Sequence, residues 1–498
     1  MKEIFDNLEI VYLNNPQWKA ELSNKIKGEI DLTDEEEIKM RKLRPLMNIL
    51  DLIKDMGCNS IVIENEYIDE DYLAEYSSFY SKVFRSLSPK TQRLHFFTDL
   101  LTFEDLKDLS GKGYLGFTAI RPTISCRTSR TILTLRSLKE SGTEMYLLCR
   151  AKFPVNLSGS KLIVEGTPFI QQDSNIGVCA EAAIWMCSLY MHQKYQFPRF
   201  RIPTITRFAT RYLMIGPPRA GLITYQMLTA LRDLGYSPLL FSSSQEALND
   251  TVQKIYSYVE SEIPVILLIS IAPSKGHAVA VVGHSYNVNA NISSSRSNID
   301  MINAFYLQDD ACGPYRTLTR TLNEGGDYSI VDNVEGLIVP LLPEIVLQIG
   351  DVTDHFFQLI IKENINKLFI YFEEEYKFSK NELDSLIFRT YLRRSNDFKT
   401  SLPKEMNNFF KLKYKAMRMP KYIWVIELST KELIKSGKIV GEIILDSTSD
   451  RHAYLDSFLA IHLYGRMIIR KPDFPISCSE FYYTPEESSY SQLRRPKI

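Results

Sequence analysis

The chain has no CxxC pair, and its seven cysteines (Cys58, Cys126, Cys149, Cys179, Cys187, Cys312 and Cys478) are scattered and odd in number. That pattern excludes a disulfide framework and predicts mostly buried thiols in a reducing compartment, with one or two of them reactive. A charge excess of either sign is also missing. Lys and Arg total 59 against 60 Asp and Glu, a net charge of −1, so nothing draws the whole molecule toward nucleic acid or an anionic membrane surface. The first residues, MKEIFDNLEIVYLNN, lack a basic start followed by an apolar block. The longest strongly apolar stretch, around PVILLISIA, is far too short to span a bilayer. These absences predict a soluble, cytoplasmic protein with no nucleic-acid or membrane partner. Phosphate-cradling GxGxxG and GK[ST] loops are absent too, and the glycines of GYLGFTAIRP do not supply them. No cofactor is expected.

What is present is a globular composition, 45% hydrophobic and 24% charged, in 498 residues. That length exceeds one compact core and predicts about three sections. Residues 1–155 read as mainly helical to about residue 110, carried by DEEEIKMRKLRPLMNILDLIKDMG with Gly57 as a stop, and then as a small sheet (YLGFTAIRP, RTILTLRS, EMYLLCRAKFPVNL). The charge run in that helix reads as a solvated face. Residues 156–345 place helices first (the segment after Cys179, LITYQMLTALRDLG with Gly235 as C-cap, and SQEALNDTVQKIYSYVESE) and strands afterwards (PVILLIS, HAVAVVGHSYN, NAFYLQDD). VNANISSSRSNID, between the last two strands, reads as a mobile polar loop. In residues 346–498, VTDHFFQLIIKENINKLFIYFEEEY and SKNELDSLIFRTYLRRS read as helices. YIWVIELS, KIVGEIILDST and LAIHLYGRMIIRKP read as strands, KSGK as a hairpin turn, and TPEESSYSQLRRPKI as a frayed tail. The fold class is therefore α+β.

The chemistry concentrates in the central section. Cys179 follows the polar DSNIG, in which Ser174 and Asn175 can end the preceding coil, and opens AEAAIWM, a good helix former. A helix N-terminus and a nearby imidazolium are what turn a thiol into a thiolate nucleophile. The apolar residues run around the whole helix, which predicts a central rod with only its first turn exposed. Cys187, two turns deeper, then serves as a structural control. In SKGHAVAVVGHSY, His277 opens a β-prone segment and can stand at the end of a sheet as base, whereas His284 lies toward the far end of the same strand. Only one of the two is expected to serve a site. The strand AFYLQDDACGPY ends in Asp309 and Asp310. Alternation sends the two side chains to opposite faces, so Asp309 is assigned to the distal imidazole nitrogen and Asp310 to capping the turn with Gly313 and Pro314. A glutamine amide upstream of the nucleophile would stabilise an oxyanion together with the cysteine N–H. Gln172 is the better placed candidate and Gln171 the reserve.

This ordered series of Gln172, Cys179 opening a helix, GHAVAVVG with His277 and a strand carrying Asp309 resembles the papain-like cysteine peptidases, particularly the C39-like branch. The helix followed by EIPVILLIS before the histidine strand is similar to that branch as well. The resemblance covers roughly residues 160–345. It implies a papain-like core framed by a helical N-terminal section and an α+β C-terminal one, with a Cys179–His277–Asp309 triad and Gln172 at the oxyanion. The activity implied is thiol-dependent hydrolysis of a peptide or isopeptide bond in a protein or peptide substrate. Gln172 stands one residue further from Cys179 than the family spacing, and Ala180 replaces a frequent glycine. A transglutaminase, deamidase or acyltransferase would use the same groups, and a papain-fold binding module would retain the fold without turnover.

Two other clusters are weaker. Glu442, Asp446, His452 and His462 match no HExxH or two-histidine helical spacing, so no metal is expected there. The basic, aromatic run QKYQFPRFRIPTITRFATRY reads as a solvated connection beside the cysteine helix rather than a docking site for an acidic partner.

Overall fold

A computed structural model describes residues 6–28, 30–40, 42–135, 143–172, 179–211, 221–243, 248–272, 275–287, 289–292, 297–359, 385–450, 452, 454–463, 465–472, 478–482 and 489–491. The architecture is α+β, built on three antiparallel-dominated sheets. The first sheet has the order β1-β2-β3-β4-β5-β8-β7, with β1 Leu8–Tyr12, β2 Ser60–Tyr67, β3 Thr91–Phe97, β4 Tyr114–Ile120, β5 Thr128–Leu133, β7 Ala151–Leu157 and β8 Ser160–Phe169. The intervening β6, Thr143–Leu147, leaves this sheet and pairs with the second. In β7 buried and exposed positions alternate strictly, as expected of a strand with one wet face.

The helical reading of the first 110 residues therefore needs correcting in part. Helices α1 (Trp18–Lys25), α2 (Glu35–Met40), α3 (Arg44–Asp55) and α4 (Glu70–Ser78) are present, and Gly57 with φ +82° follows the end of α3. β1 precedes these helices, β2 lies between α3 and α4, and β3 follows α4, and the helical reading passed over all three. Their apolar runs LEIVY and SIVIE are short, and the neighbouring charged helices dominate any wide window.

The central section carries α5 (Cys179–Tyr195), α6 (Ile202–Thr210), α7 (Thr224–Asp233) and α8 (Leu248–Glu260). Gly235 closes α7 at φ +93°. The second sheet runs β14-β13-β12-β11-β10-β15-β9, with β9 Ser237–Ser242, β10 Val265–Ala272, β11 Lys275–Asn287, β12 Ile302–Asp309, β13 Gly313–Thr319, β14 Tyr328–Ser329 and β15 Val334–Leu341. Helix α5 is buried from Ala180 through Met191. A rod apolar on all sides has to be enclosed, and this one lies against β11 and β8, bringing the first two sheets onto one continuous core. The Trp185 indole N–H donates to Asp71 Oδ1 at 3.1 Å, fixing the rod to α4.

The loop after β11 is held down at its far end. Asn298 is buried and its amide donates to the hydroxyls of Tyr256 (2.8 Å) and Tyr286 (2.7 Å), so residues 297–300 are packed structure rather than a mobile excursion. Residues 293–296 lie outside the described set.

The third sheet runs β16-β17-β19-β20-β21-β22, with β16 Ile387–Arg394, β17 Tyr422–Ser429, β19 Gly441–Asp446, β20 Phe458–Leu463, β21 Arg466–Arg470 and β22 Cys478–Tyr482, while β18 Lys438–Ile439 belongs to a separate two-stranded sheet. Segment IFRTYLRR, read from sequence as the end of a helix, is β16. Its β-branched and aromatic side chains pair in register with β17 from Ile387↔Ser429 to Arg394↔Tyr422. KSGK is the exit of a short helix, Lys431–Lys435, with Gly437 at φ +68°, and not a turn joining two strands directly. In the tail, β23 (Tyr490–Ser491) pairs with β18 and Tyr490 is buried. The helical readings over 360–384 and the remaining tail residues 483–488 and 492–498 lie outside the described set.

A fully buried chain of charges joins the second and third sections. His284 Nε2 meets Glu260 Oε2 at 2.7 Å, Arg389 bridges Glu260 (2.5 Å) and Glu427 (Nε to Oε2, 2.7 Å), and the Tyr391 hydroxyl closes on Glu427 at 2.9 Å. His284 is thus a structural residue of the section contact, which leaves His277 as the histidine free for a site. Among the described residues no helix is long and apolar enough to cross a membrane.

Candidate active site

Cys179 is the first residue of α5 and the one residue of the helix's first two turns that is not fully buried. It faces a cleft of about 450 Å³ that Gln172, Gly276, His277, Ala311, Cys312 and Tyr328 also line. Cys187 lies in the core, where burial pushes its thiol up, out of reach of ionisation. Cys58 is likewise pushed up to about 12 by burial. Position on the helix, not residue type, separates the half-buried Cys179 from the buried Cys187.

His277 stands near the start of β11. It pairs with Ile269 of β10 but lies beyond the last β11–β12 pair, Ala280↔Gln308, so its ring is free of the ladder and projects at the sheet end. Its Nε2 meets Asp309 Oδ1 at 2.8 Å, which leaves Nδ1 as the nitrogen available to the sulfur. Burial disfavours the charged ring. The hydrogen bond that Nε2–H donates to Asp309, the Cys179 side chain and the charges of Asp310 and Asp309 outweigh it and hold His277 at about 11. The Cys179 side chain is thus in reach of the imidazole. Such contacts often tighten only when substrate is bound.

Asp309 is buried and both of its carboxylate oxygens are engaged. Besides His277 it accepts the Tyr328 hydroxyl on Oδ2 at 2.6 Å and the backbone N–H groups of Ala311 (2.9 Å) and Cys312 (3.3 Å) on Oδ1. Burial opposes its charge, but the His277 contact and these donors hold it down at about 2. The turn-capping role expected of Asp310 therefore belongs to Asp309. The expectation failed because strand alternation ends here: β12 shifts register between Leu307 and Asp309, and the chain then turns through residues 310–312. Both carboxylates consequently face the histidine, with Asp310 Oδ1 3.7 Å from Nε2. Asp310 is completely buried. Desolvation, then the charge of Asp309, push it up to about 7 against the pull of His277 and of the backbone N–H of Gln172.

The two glutamines separate cleanly. Gln171 is buried, its side-chain Oε1 accepts the Thr128 N–H (3.1 Å) and its side-chain Nε2 donates to the Lys42 carbonyl (2.5 Å), so it is a structural tie. Gln172 is half-buried and lines the cleft beside Cys179. Ser174, Asn175 and Val178 lie outside the described residues.

Tyr328, Cys312 and Arg44 were not foreseen. Tyr328 comes from a two-residue strand and Arg44 from another section of the chain, and neither has a local pattern that marks it. The dipeptide Asp309-Asp310 followed by Cys312 was the available signal for a crowded turn.

The other candidates disperse. Glu442 accepts from the Tyr414 and Tyr490 hydroxyls and lies 3.1 Å from His462 Nδ1, a buried polar knot. Asp446 caps Thr448, and His452 is exposed. Among the described residues the only cluster with metal-ligand spacing is His277, Asp309 and Asp310 itself, in which the imidazole nitrogen is already committed to a carboxylate. The basic run after α5 is not simply solvated: Arg199 pairs with Asp71 (2.6 Å) and Glu70 (2.7 Å), and Arg201 with Glu70 (3.0 Å), so its acidic partner is α4 of the same chain.

No protein-family model matches the chain and no curated protein matches it.

Proposed function

We propose that the protein is a thiol-dependent hydrolase of peptide or isopeptide bonds, with a papain-like core in its central section and Cys179 as nucleophile. The observation that carries this reading is the 2.8 Å contact of His277 Nε2 with Asp309 Oδ1 on an imidazole whose other nitrogen is left for Cys179, at the exposed end of a buried helix.

Asp309 fixes the ring orientation and stabilises the imidazolium. The imidazolium and the N-terminus of α5 stabilise the thiolate, which attacks the acyl carbon. The Cys179 N–H and the Gln172 amide are the donors for the oxyanion. His277 protonates the leaving amine, the C–N bond breaks, and a thioester to Cys179 remains. Water, deprotonated by His277, then releases the acid and restores the thiol.

The test is a mass-spectrometric screen of peptide and isopeptide substrates with the intact chain, with and without an added primary amine. Cleavage that vanishes in Cys179→Ala supports the reading. Products that carry the amine in place of water move the assignment to an acyltransferase, and cleavage that survives in Cys179→Ala removes Cys179 from the chemistry.

A further inference from the structure

The cleft that holds Cys179 is also lined by Arg44, the first residue of α3, contributed by the N-terminal section. Its side chain is exposed, and among the described residues its guanidinium forms no hydrogen bond or ion pair. This is unusual for the charges of this cleft. Asp327, the other charged group on its rim, is engaged by Arg316, the Thr317 N–H (2.9 Å) and the Thr317 hydroxyl (3.0 Å). Asp309 is bound by His277 and Tyr328.

Arg44 is also held where it is. Gln171, immediately before the cleft-lining Gln172, donates to the carbonyl of Lys42 at 2.5 Å, and Asn48, one turn into α3, donates to the carbonyl of Cys312 at 2.5 Å. Leu43, Pro45 and Leu46 on either side are buried. The backbone bearing Arg44 is thus pinned on one side to the segment leading to Cys179 and on the other to the turn after Asp309. The guanidinium lies near enough to the Cys312 thiol to act on it electrostatically. A positioned arginine with its five N–H donors open to a cleft matches a carboxylate, which it can take in a bidentate fork.

We propose that Arg44 is the specificity-determining cation of the cleft and that the substrate class is acidic: the acyl compound cleaved at Cys179 carries a carboxylate that reaches Arg44. The proposal rests on the thiol-hydrolase reading for its biological meaning, but Arg44 is tested separately from it. The carboxylate is either an Asp or Glu side chain or a free chain terminus, and both present the same group to the arginine.

The probes are iodoacetate and iodoacetamide, which alkylate the same sulfur and differ by one charge. Alkylation is followed on the Cys179 peptide by mass spectrometry in the intact chain and in Arg44→Gln and Arg44→Glu. The iodoacetate-to-iodoacetamide rate ratio falls about threefold or more in Arg44→Gln, as expected for loss of one partly solvated charge. It falls further in Arg44→Glu, while the iodoacetamide rate stays near that of the parent. An unchanged ratio in both variants overturns the proposal. Because the ratio is internal to one sulfur, it reports on Arg44 even if the absolute rate proves no greater than that of a free thiol, a result that counts against the hydrolase reading alone. Matched peptides then separate the two sources. A preference for Glu over Gln that is lost in Arg44→Gln assigns the side chain, a preference for a free C-terminus over its amide assigns the terminus, and indifference to both overturns the acidic substrate class.

Discussion

Tyr328 donates its hydroxyl to Asp309 Oδ2 at 2.6 Å, on the carboxylate oxygen that His277 does not use. The aspartate is thereby clamped from both sides, and the orientation of the imidazole depends on a residue 19 positions further along the chain. Tyr328 touches no reacting atom in this account. It positions Asp309, which positions His277. Tyr328→Phe removes one hydrogen bond to a charged acceptor, and kcat/KM falls by about tenfold, in keeping with the usual worth of such bonds. Because that bond helps hold Asp309 low, its loss raises the carboxyl pKa, and the acid limb of the pH–rate profile moves to higher pH. A fall in activity without that movement would assign Tyr328 to packing alone.

Asp309 and Asp310 are adjacent and buried, yet they titrate in opposite senses, and stability against pH separates them. Asp309, lowered from 3.8 to about 2, contributes stability that is present above pH 4 and lost as pH falls through 2. His277, raised from 6.5 to about 11, contributes stability that is complete below pH 6.5 and lost as pH rises through 11. Asp310, raised from 3.8 to about 7, favours the folded state while protonated, and that advantage is lost as pH rises from 4 through 7. Urea unfolding at pH 5 and pH 8 checks this. Asp310→Asn gains stability relative to the parent at pH 8 more than at pH 5, whereas Asp309→Asn is destabilised at both.

Gln171 and Gln172 have the same side chain and different surroundings, so alanine at each position gives opposite outcomes. Gln171→Ala strands the Thr128 N–H and the Lys42 carbonyl and costs about 1–3 kcal/mol of stability. Gln172→Ala changes stability by about 0.5 kcal/mol or less, but lowers kcat by about 100-fold or more as the oxyanion loses a donor. Thermal unfolding and steady-state kinetics on the two variants settle which glutamine does which.

The contact between the central and C-terminal sections is tested at Arg389. Removing its guanidinium leaves Glu260 and Glu427 facing each other in the core without their cation, and Arg389→Met costs about 3–5 kcal/mol. Urea denaturation measures the loss. A change below about 1 kcal/mol would mean that water reaches this charge chain.

The residues that gather at the candidate site were more legible in the sequence than the frame around them. Cys179, His277 and Asp309 sit at element ends, and their types and spacing announce chemistry before any pairing is known. The first sheet was largely hidden because strands such as LEIVY are held by partners dozens of residues away, as in Leu8↔Glu64, and nothing local marks that pairing. The error at β16 has another origin: the β-branched and aromatic residues of IFRTYLRR suit a strand paired with β17, but the segment was joined to the charged SKNELDSL before it and read as one helix. Asp310 was misplaced by a rule that holds only inside a regular strand, and the register shift after Leu307 ends that strand one residue earlier. Arg44 and Tyr328 reach the cleft through tertiary packing alone.

On the proposed reading Cys179 is an activated thiol, set apart from the other six cysteines by its place at the tip of α5 and by His277. Limited alkylation with a neutral reagent at neutral pH, followed by peptide mapping, measures this directly. Cys179 is expected to be modified first, ahead of the equally half-buried Cys312 and Cys478, and His277→Ala to slow its modification while leaving theirs unchanged. Modification spread evenly over the three accessible cysteines, or a Cys179 rate indifferent to His277, would contradict it.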